Sequence, residues 1–144
     1  MSHPLGKNAS RSRISSRYGE RINPVNHKPQ FHNGVDFAIE SGTPVCAPWD
    51  AVVLNQASDE LNGNYLRLRH GTDIVTVYCH LDSFEPGVDR DAIVSKGQVI
   101  GYVGTTGRST GSHLHFGIML CGKWVDPLPV LALDNLQEVV DGAV

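Results

Sequence analysis

Two histidines stand one residue apart, as His113 and His115 in the run Ser-His-Leu-His-Phe-Gly-Ile-Met-Leu. Side chains alternate between the two faces of a β-strand, so both imidazoles would share one face while Leu114 and Phe116 point to the other. Two adjacent imidazoles can bind one metal ion, or one can bind while its neighbour transfers protons. Taken alone, an H-x-H pattern is more often a pair of half-exposed histidines.

An imidazole and a carboxylate stand four residues apart at His32 and Asp36, with Gly34 between them to let the backbone turn closely. On an extended segment this spacing puts both side chains on one face. Their nitrogen and oxygen suit zinc, which in catalytic sites takes three protein ligands and leaves one position for water. The H-x-G-x-D pattern alone is equally typical of a ligand pair and of a turn.

A further histidine, His80, ends the apolar run at residues 74–81. Strand alternation predicts a buried stripe of Val75, Val77, Cys79 and Leu81, with Thr76, Tyr78 and His80 on the opposite, polar face. We therefore expect His80 to join the H-x-H pair on a common polar face. Together the three patterns supply three metal ligands and two spare histidines, which suits a site that needs both a base and an oxyanion donor.

The elements that must position these residues are predicted to be β-strands. The chain has 15 glycines and 8 prolines, and its short apolar runs are rich in Val, Ile, Tyr and Leu. We predict a single, mainly β domain built on a largely antiparallel sheet, with long loops and little helix. The predicted strands cover residues 35–39, 51–57, 65–70, 74–81, 99–103 and 113–120.

Composition limits the function and the organisation of the chain. Its 144 residues suit one domain, and a formal charge of −3 disfavours nucleic acid or anionic lipid as a partner. No apolar run is long enough for a transmembrane helix, and no secretory signal peptide is recognisable. We predict a flexible N-terminal arm over residues 1–14, a catalytic domain over 15–133 and a tail over 134–144.

The remaining reactive side chains are predicted to have no catalytic role. Three cysteines without a C-x-x-C pair indicate small buried residues rather than a disulfide framework or a thiolate zinc site. His3, His27 and His70 are expected to be ordinary exposed residues. The Gly-rich stretch 104–111 lacks the Lys-Ser/Thr of a phosphate loop, and we interpret it as a flexible wall of the site.

These motifs, in this order, resemble the lysostaphin/LytM-type zinc metallopeptidases. The resemblance rests on H-x-G-x-D at residues 32–36, on His-Leu at 80–81 and on G-x-H-L-H-F at 111–116, and it covers about residues 15–129. It implies a duplicated-hybrid-motif type of β fold and one Zn²⁺ per chain, held by His32, Asp36 and His115. It also implies that His80 and His113 are the catalytic histidines.

By the same resemblance, the chain is expected to be a peptidoglycan endopeptidase. It would hydrolyse peptide bonds in the cross-links or bridges of the bacterial cell wall through a metal-activated water, as a monomer and outside the cytoplasm. Either His113 or His80 would act as the base. The alternatives are a wall-binding or regulatory module that keeps the zinc without turnover, and a lipoyl-like carrier domain, which would leave the histidines unexplained.

Overall fold

The computed structural model describes residues 3–23 and 26–132, and over these residues the chain is almost entirely β-structure. A 3₁₀ helix over Gly6–Arg11 precedes the first strand. The strands are β1 Arg13–Ser16, β2 Gly19–Ile22, β3 Pro29–His32, β4 Val35–Ala38, β5 Pro44–Cys46, β6 Ala51–Asp59, β7 Gly63–His70, β8 Ile74–Phe84, β9 Ile93–Val94, β10 Val99–Val103, β11 His113–Leu120 and β12 Lys123–Val125. A single turn of α-helix, α1 over Pro127–Leu131, follows β12.

One antiparallel sheet carries most of these strands. Its main path runs β1-β4-β11-β8-β7-β6-β9, while β12 pairs with β11, and β10 pairs with both β8 and β5. The strands β2 and β3 form a separate two-stranded ribbon. The predicted fold class, a mainly antiparallel β domain with little helix, is confirmed, and each of the six predicted strands is present.

The strand β11 lies between β4 and β8 and has one face in the core. Leu114, Phe116 and Ile118 are completely buried, and they belong to one continuous apolar cluster. Burying each such side chain stabilises the fold by about 1.5–3 kcal/mol. The opposite face carries His113, His115, Gly117 and Met119, so the alternation expected from the sequence is confirmed.

The strand β8 contains a β-bulge at His80. Asn64 of β7 pairs with Leu81, and Leu66 pairs with Tyr78. The two residues Cys79 and His80 therefore lie opposite one residue of β7, Tyr65. His80 has a positive φ of 65°. Below the bulge β8 pairs with β11, and beyond it β8 pairs with β10. The extra residue shifts the alternation by one, which places Leu81 in the core.

The predicted polar face of β8 is wrong for two of its three members. Thr76 and Tyr78 are completely buried. With His70 they form a buried chain of hydrogen bonds, since Thr76 Oγ1 is 2.7 Å from Tyr78 Oη and 2.7 Å from His70 Nε2. His70 was expected to be exposed, but it is 1% exposed and packs edge-on against Trp49. The alternation missed this because both faces of β8 are covered.

The segment before β1 packs onto the domain. Leu5 is completely buried, and the Pro4 carbonyl accepts a hydrogen bond of 2.7 Å from the Cys46 amide. The His3 ring contacts Phe37, with centroids 4.8 Å apart. A flexible arm over residues 1–14 therefore does not describe residues 3–14. The division of the chain near residues 14 and 133 stays a prediction, and the predicted tail over 134–144 lies outside the described residues.

The three cysteines are free thiols in different surroundings. Cys79 is buried and Cys46 is half-buried, whereas Cys121 is exposed, so the prediction that all three are buried is wrong for Cys121. The absence of a disulfide framework is as expected. Within residues 3–23 and 26–132, no helix has the length and apolar character needed to cross a membrane.

Candidate metal centre

Three side chains converge at one point on the polar face of the sheet. His115 Nδ1 is 2.8 Å from Asp36 Oδ1, and His32 Nε2 is 3.3 Å from the same oxygen. The two ring nitrogens are 3.2 Å apart. Ligands at the usual zinc distances, in tetrahedral geometry, are separated by about 3.3 Å. The donor set and its spacing therefore fit three corners of a zinc tetrahedron.

The triad of His32, Asp36 and His115 is positioned by the sheet and the ribbon together. His115 and Asp36 are cross-strand partners in β11 and β4, whereas His32 is the last residue of β3 in the ribbon. Gly34 lies in the turn between β3 and β4. A Cβ atom at Gly34 would lie 2.5 Å from the Phe116 carbonyl oxygen and 2.8 Å from the His115 ring, so only glycine lets the turn pass this close.

The tautomer of His32 is fixed by the chain that precedes the ribbon. His32 Nδ1 donates a hydrogen bond of 2.9 Å to the Arg17 carbonyl, which can only accept. Ser16 Oγ lies 3.3 Å from the same nitrogen and accepts a hydrogen bond of 2.6 Å from Arg21. Since the proton is on Nδ1, the Nε2 lone pair of His32 is directed at the triad.

His115 is oriented in the opposite sense. Its Nε2 lies 3.2 Å from Asn33 Oδ1, which accepts the ring proton and leaves Nδ1 to face Asp36. Burial acts to raise the pKa of Asp36, but the interactions with the neighbouring His115 and His32 side chains outweigh it and hold the pKa well below its usual range. Asp36 is therefore an anionic carboxylate, as a metal ligand must be.

Two further histidines border the triad. His113 Nε2 lies 3.8 Å from Asp36 Oδ1, and the rings of His80 and His113 have centroids 4.8 Å apart. His80 Nδ1 donates to the Thr106 carbonyl at 2.7 Å, and His113 Nδ1 donates to the Gly111 carbonyl at 2.9 Å. Each ring, when neutral, therefore carries its lone pair on Nε2.

The surroundings of His80 favour its neutral form. Burial lowers the pKa of His80, and the neighbouring His113 and His115 rings lower it further, against the opposing effect of the bond to Thr106. At this position the neutral imidazole keeps a free lone pair and, once protonated, releases the proton readily.

The structure brings together all five residues singled out from the sequence: His32, Asp36, His80, His113 and His115. His27 is exposed, as expected. Sequence reasoning missed the groups that orient the rings, because most of them are backbone carbonyls and carry no side-chain signal. Asn33 had a signal, since it adjoins His32 in the motif. The interpretation of the stretch 104–111 as a flexible wall of the site stays a prediction; within it, Arg108 N donates to the Leu61 carbonyl at 3.1 Å.

The chain is similar to known proteins over most of its length. A family model described as Peptidase family M23 matches residues 30–127. The peptidoglycan DD-endopeptidase ShyA of Vibrio cholerae serotype O1 is 40% identical over 120 residues, covering 83% of this chain and 27% of ShyA.

Two solved structures share the fold. A zinc-containing peptidase from Vibrio cholerae matches with a TM-score of 0.79 and 34% identity, covering 92% of this chain and 39% of that chain. The catalytic domain of lysostaphin from Staphylococcus simulans matches with a TM-score of 0.78 and 30% identity, covering 87% of this chain and 96% of that chain.

The chain matches only part of the length of its curated relatives, but the family match covers the whole candidate site. The chain spans 27% of the length of the curated relatives that it matches in Neisseria meningitidis and Vibrio cholerae. The family model matches residues 30–127, which include all five residues of the candidate site. The resemblance to lysostaphin-type enzymes drawn from the motifs is confirmed. This chain belongs to peptidase family M23.

Proposed function

We propose that the chain is a zinc-dependent endopeptidase that hydrolyses peptide bonds in bacterial peptidoglycan. The observation that carries the proposal is a three-residue cluster suited to a metal, with two more histidine rings beside it whose Nδ1 protons are both committed to backbone carbonyls. A purely structural zinc site is closed by four ligands, whereas a catalytic one has three and leaves a position open. All five side chains come from one chain, so the proposed centre needs no second copy.

His32, Asp36 and His115 would hold one zinc ion. Their ligand atoms lie within 4.8 Å of one another, and the hydrogen bonds to Arg17 and Asn33 fix the ring nitrogens that face the ion. Zinc bound there supplies Lewis acidity, which lowers the pKa of a water and polarises a carbonyl. The anionic Asp36 offsets part of the charge of the ion.

His113 is the proposed base. Its Nε2 lies close to the ligand cluster, 3.8 Å from Asp36 Oδ1, and its Nδ1 proton is committed to the Gly111 carbonyl. Neutral His113 therefore accepts the proton of the attacking water at Nε2.

His80 is the proposed second proton carrier. Its own Nδ1 proton is committed to the Thr106 carbonyl, so the proton of the attacking water, passed on from the adjacent His113 ring, would reside on its Nε2. From there it donates a hydrogen bond to the developing oxyanion or passes the proton to the leaving amine. Its lowered pKa favours that release.

The substrate bond is proposed from the relatives. ShyA is named a peptidoglycan DD-endopeptidase, which favours a cross-link between D-configured centres over a glycyl bridge as the bond that this chain cuts. Peptidoglycan lies outside the cytoplasm, so the proposed activity is extracytoplasmic.

The test is the release of free amines from purified peptidoglycan by the zinc-loaded protein. The His113→Ala variant, with zinc binding verified separately, is expected to lose about 10²–10⁴-fold in rate, the usual contribution of a positioned base. A chelator should abolish release from the wild type, and His27→Ala, which changes an exposed histidine, should cleave normally. Mass spectrometry of the products identifies the bond.

Two outcomes would contradict the proposal. Undiminished cleavage by His113→Ala would remove this residue from the base role. No cleavage by a fully zinc-loaded wild type would instead favour a wall-binding or regulatory module that keeps the metal without turnover.

A further inference from the structure

His80 reaches the candidate site in a backbone conformation that non-glycine residues rarely adopt. Its φ is 65°, at the bulge where β8 changes its partner from β11 to β10. Such a conformation persists only when the surrounding structure determines it. Two neighbouring segments hold His80 in this conformation: the β6–β7 turn and the loop after β10.

The β6–β7 turn holds the backbone of His80. The His80 amide donates to the Asn62 carbonyl at 2.8 Å. Asn62 is itself fixed by Asp59, whose carboxylate accepts from the Asn62 amide at 2.6 Å and from its side-chain nitrogen at 3.1 Å. This part of the turn therefore sets where the bulge lies.

The loop after β10 holds the ring of His80 through Thr106. The Thr106 carbonyl accepts from His80 Nδ1, and the Thr106 hydroxyl donates to the Leu81 carbonyl at 2.7 Å. The same hydroxyl accepts from the Asn64 amide at 3.0 Å. Thr106 therefore bonds to the residue after His80 and to the facing strand β7 at once.

Close contact between the loop and the turn depends on two glycines. A Cβ atom at Gly63 would lie 2.3 Å from Thr106 Oγ1, and one at Gly107 would lie 2.2 Å from the Gly63 amide nitrogen. Both glycines also have positive φ angles, of 64° and 74°. The loop therefore packs directly against the turn, and this contact places Thr106 next to β8.

We propose that Thr106 is a positioning residue for His80. Its hydroxyl, bonded to Leu81 and Asn64, holds its carbonyl where that carbonyl accepts the Nδ1 hydrogen bond, and this keeps the lone pair of the His80 ring on Nε2. The kinetic consequence rests on the proposed function, whereas the effect on the ring does not. Among the described residues, the hydrogen bonds of Thr106 go to Asn64, His80 and Leu81 and to none of the three proposed ligands. Zinc affinity should therefore not depend on Thr106.

The first readout is the His80 tautomer, measured by ¹⁵N NMR on the zinc-loaded protein. The wild type should show the proton on Nδ1. Thr106→Val, which keeps the shape but removes the hydroxyl, should give a mixture of tautomers or an imidazole in exchange, and Thr106→Ser should restore the wild-type signal. A wild-type tautomer in the valine variant would overturn the proposal. If the valine variant does not fold, Thr106→Ala takes its place.

The second readout separates positioning from a general structural role. In Thr106→Val we expect kcat to fall about 10–100-fold, with KM and zinc affinity changed less than about threefold, because misplacing a catalytic group by about 1 Å has effects of this size. In a His80→Ala background the same substitution should cause no further loss. Equal losses in both backgrounds would overturn the proposal. If the wild type does not cleave peptidoglycan, the tautomer measurement alone decides.

Discussion

Acidification is expected to destabilise the fold through the protonation of His70, and this effect does not depend on a bound metal. Burial lowers the pKa of His70 to about 4, although hydrogen bonds from its ring to the Asp50 and Trp49 backbone and the charge of Asp50 act in the opposite direction. In the unfolded chain the same side chain titrates near 6.5. Between these two pH values the unfolded chain therefore binds a proton that the folded chain does not.

The sign and size of the effect follow from that difference. Because the unfolded state binds more protons, the free energy of unfolding falls as the pH falls. The stability is fully present above about pH 6.5 and is lost progressively down to about pH 4. Between pH 7 and pH 5 the loss through His70 should amount to about 2 kcal/mol. The physical reason is the burial of His70 in its neutral form, with its Nδ1 donating to the Asp50 carbonyl and its Nε2 accepting a hydrogen bond from Thr76 Oγ1.

The assay is urea denaturation of the metal-free protein at pH 7 and pH 5, so that zinc release does not contribute. The His70→Gln variant should be less stable than the wild type at pH 7, but its free energy of unfolding should fall less on acidification, by about 2 kcal/mol. His27→Gln, at an exposed site, serves as the matched control and should behave as the wild type does. An equal pH dependence in His70→Gln and wild type would refute the reasoning.

Three further predictions follow from other contacts. Gly34→Ala should lower zinc affinity by about 10–100-fold, measured by competition with a chromogenic chelator, because the added methyl group displaces the His115 ring; unchanged affinity would mean that the turn adjusts freely. Leu5→Ala should destabilise the protein by about 2–5 kcal/mol in urea denaturation, and a negligible change would mean that the packing of this segment is unimportant. Cys121 should react with a thiol reagent much faster than Cys79, whose pKa burial raises to about 12; mass spectrometry after brief labelling would reveal the opposite order.

Strand alternation predicted the faces of the strands well where the strands are regular. In β11 the period of two holds from His113 to Leu120, so the residues on the candidate-site side and the core side were assigned correctly. His80 was placed near the other histidines by an argument that fails for its neighbours Thr76 and Tyr78. It is the bulge that turns His80 away from the core face, and no local signal in the sequence marks that bulge.

Other misses arose from long-range packing. Leu5 lies in a polar segment without periodicity, and only its contacts with the rest of the domain bury it. His70 stands next to a glycine turn and looks exposed in sequence, yet Trp49 and Thr76 enclose it. Short strands such as β9, with two residues, cannot show any period at all. Sequence patterns predict the faces of regular strands, whereas burial of isolated side chains depends on distant partners.

The placement of the triad makes the ribbon and the sheet depend on one another. The strands β1 and β4 pair within the sheet. The ribbon of β2 and β3 is the segment of chain between them, and His32 is its last residue. A metal ion held by His32 together with Asp36 and His115 would act as a removable cross-link across the base of that loop. By mass action, zinc concentration would then govern the opening of one wall of the site, and amide exchange in β2 and β3 would slow as zinc is added while exchange in β7 would change little.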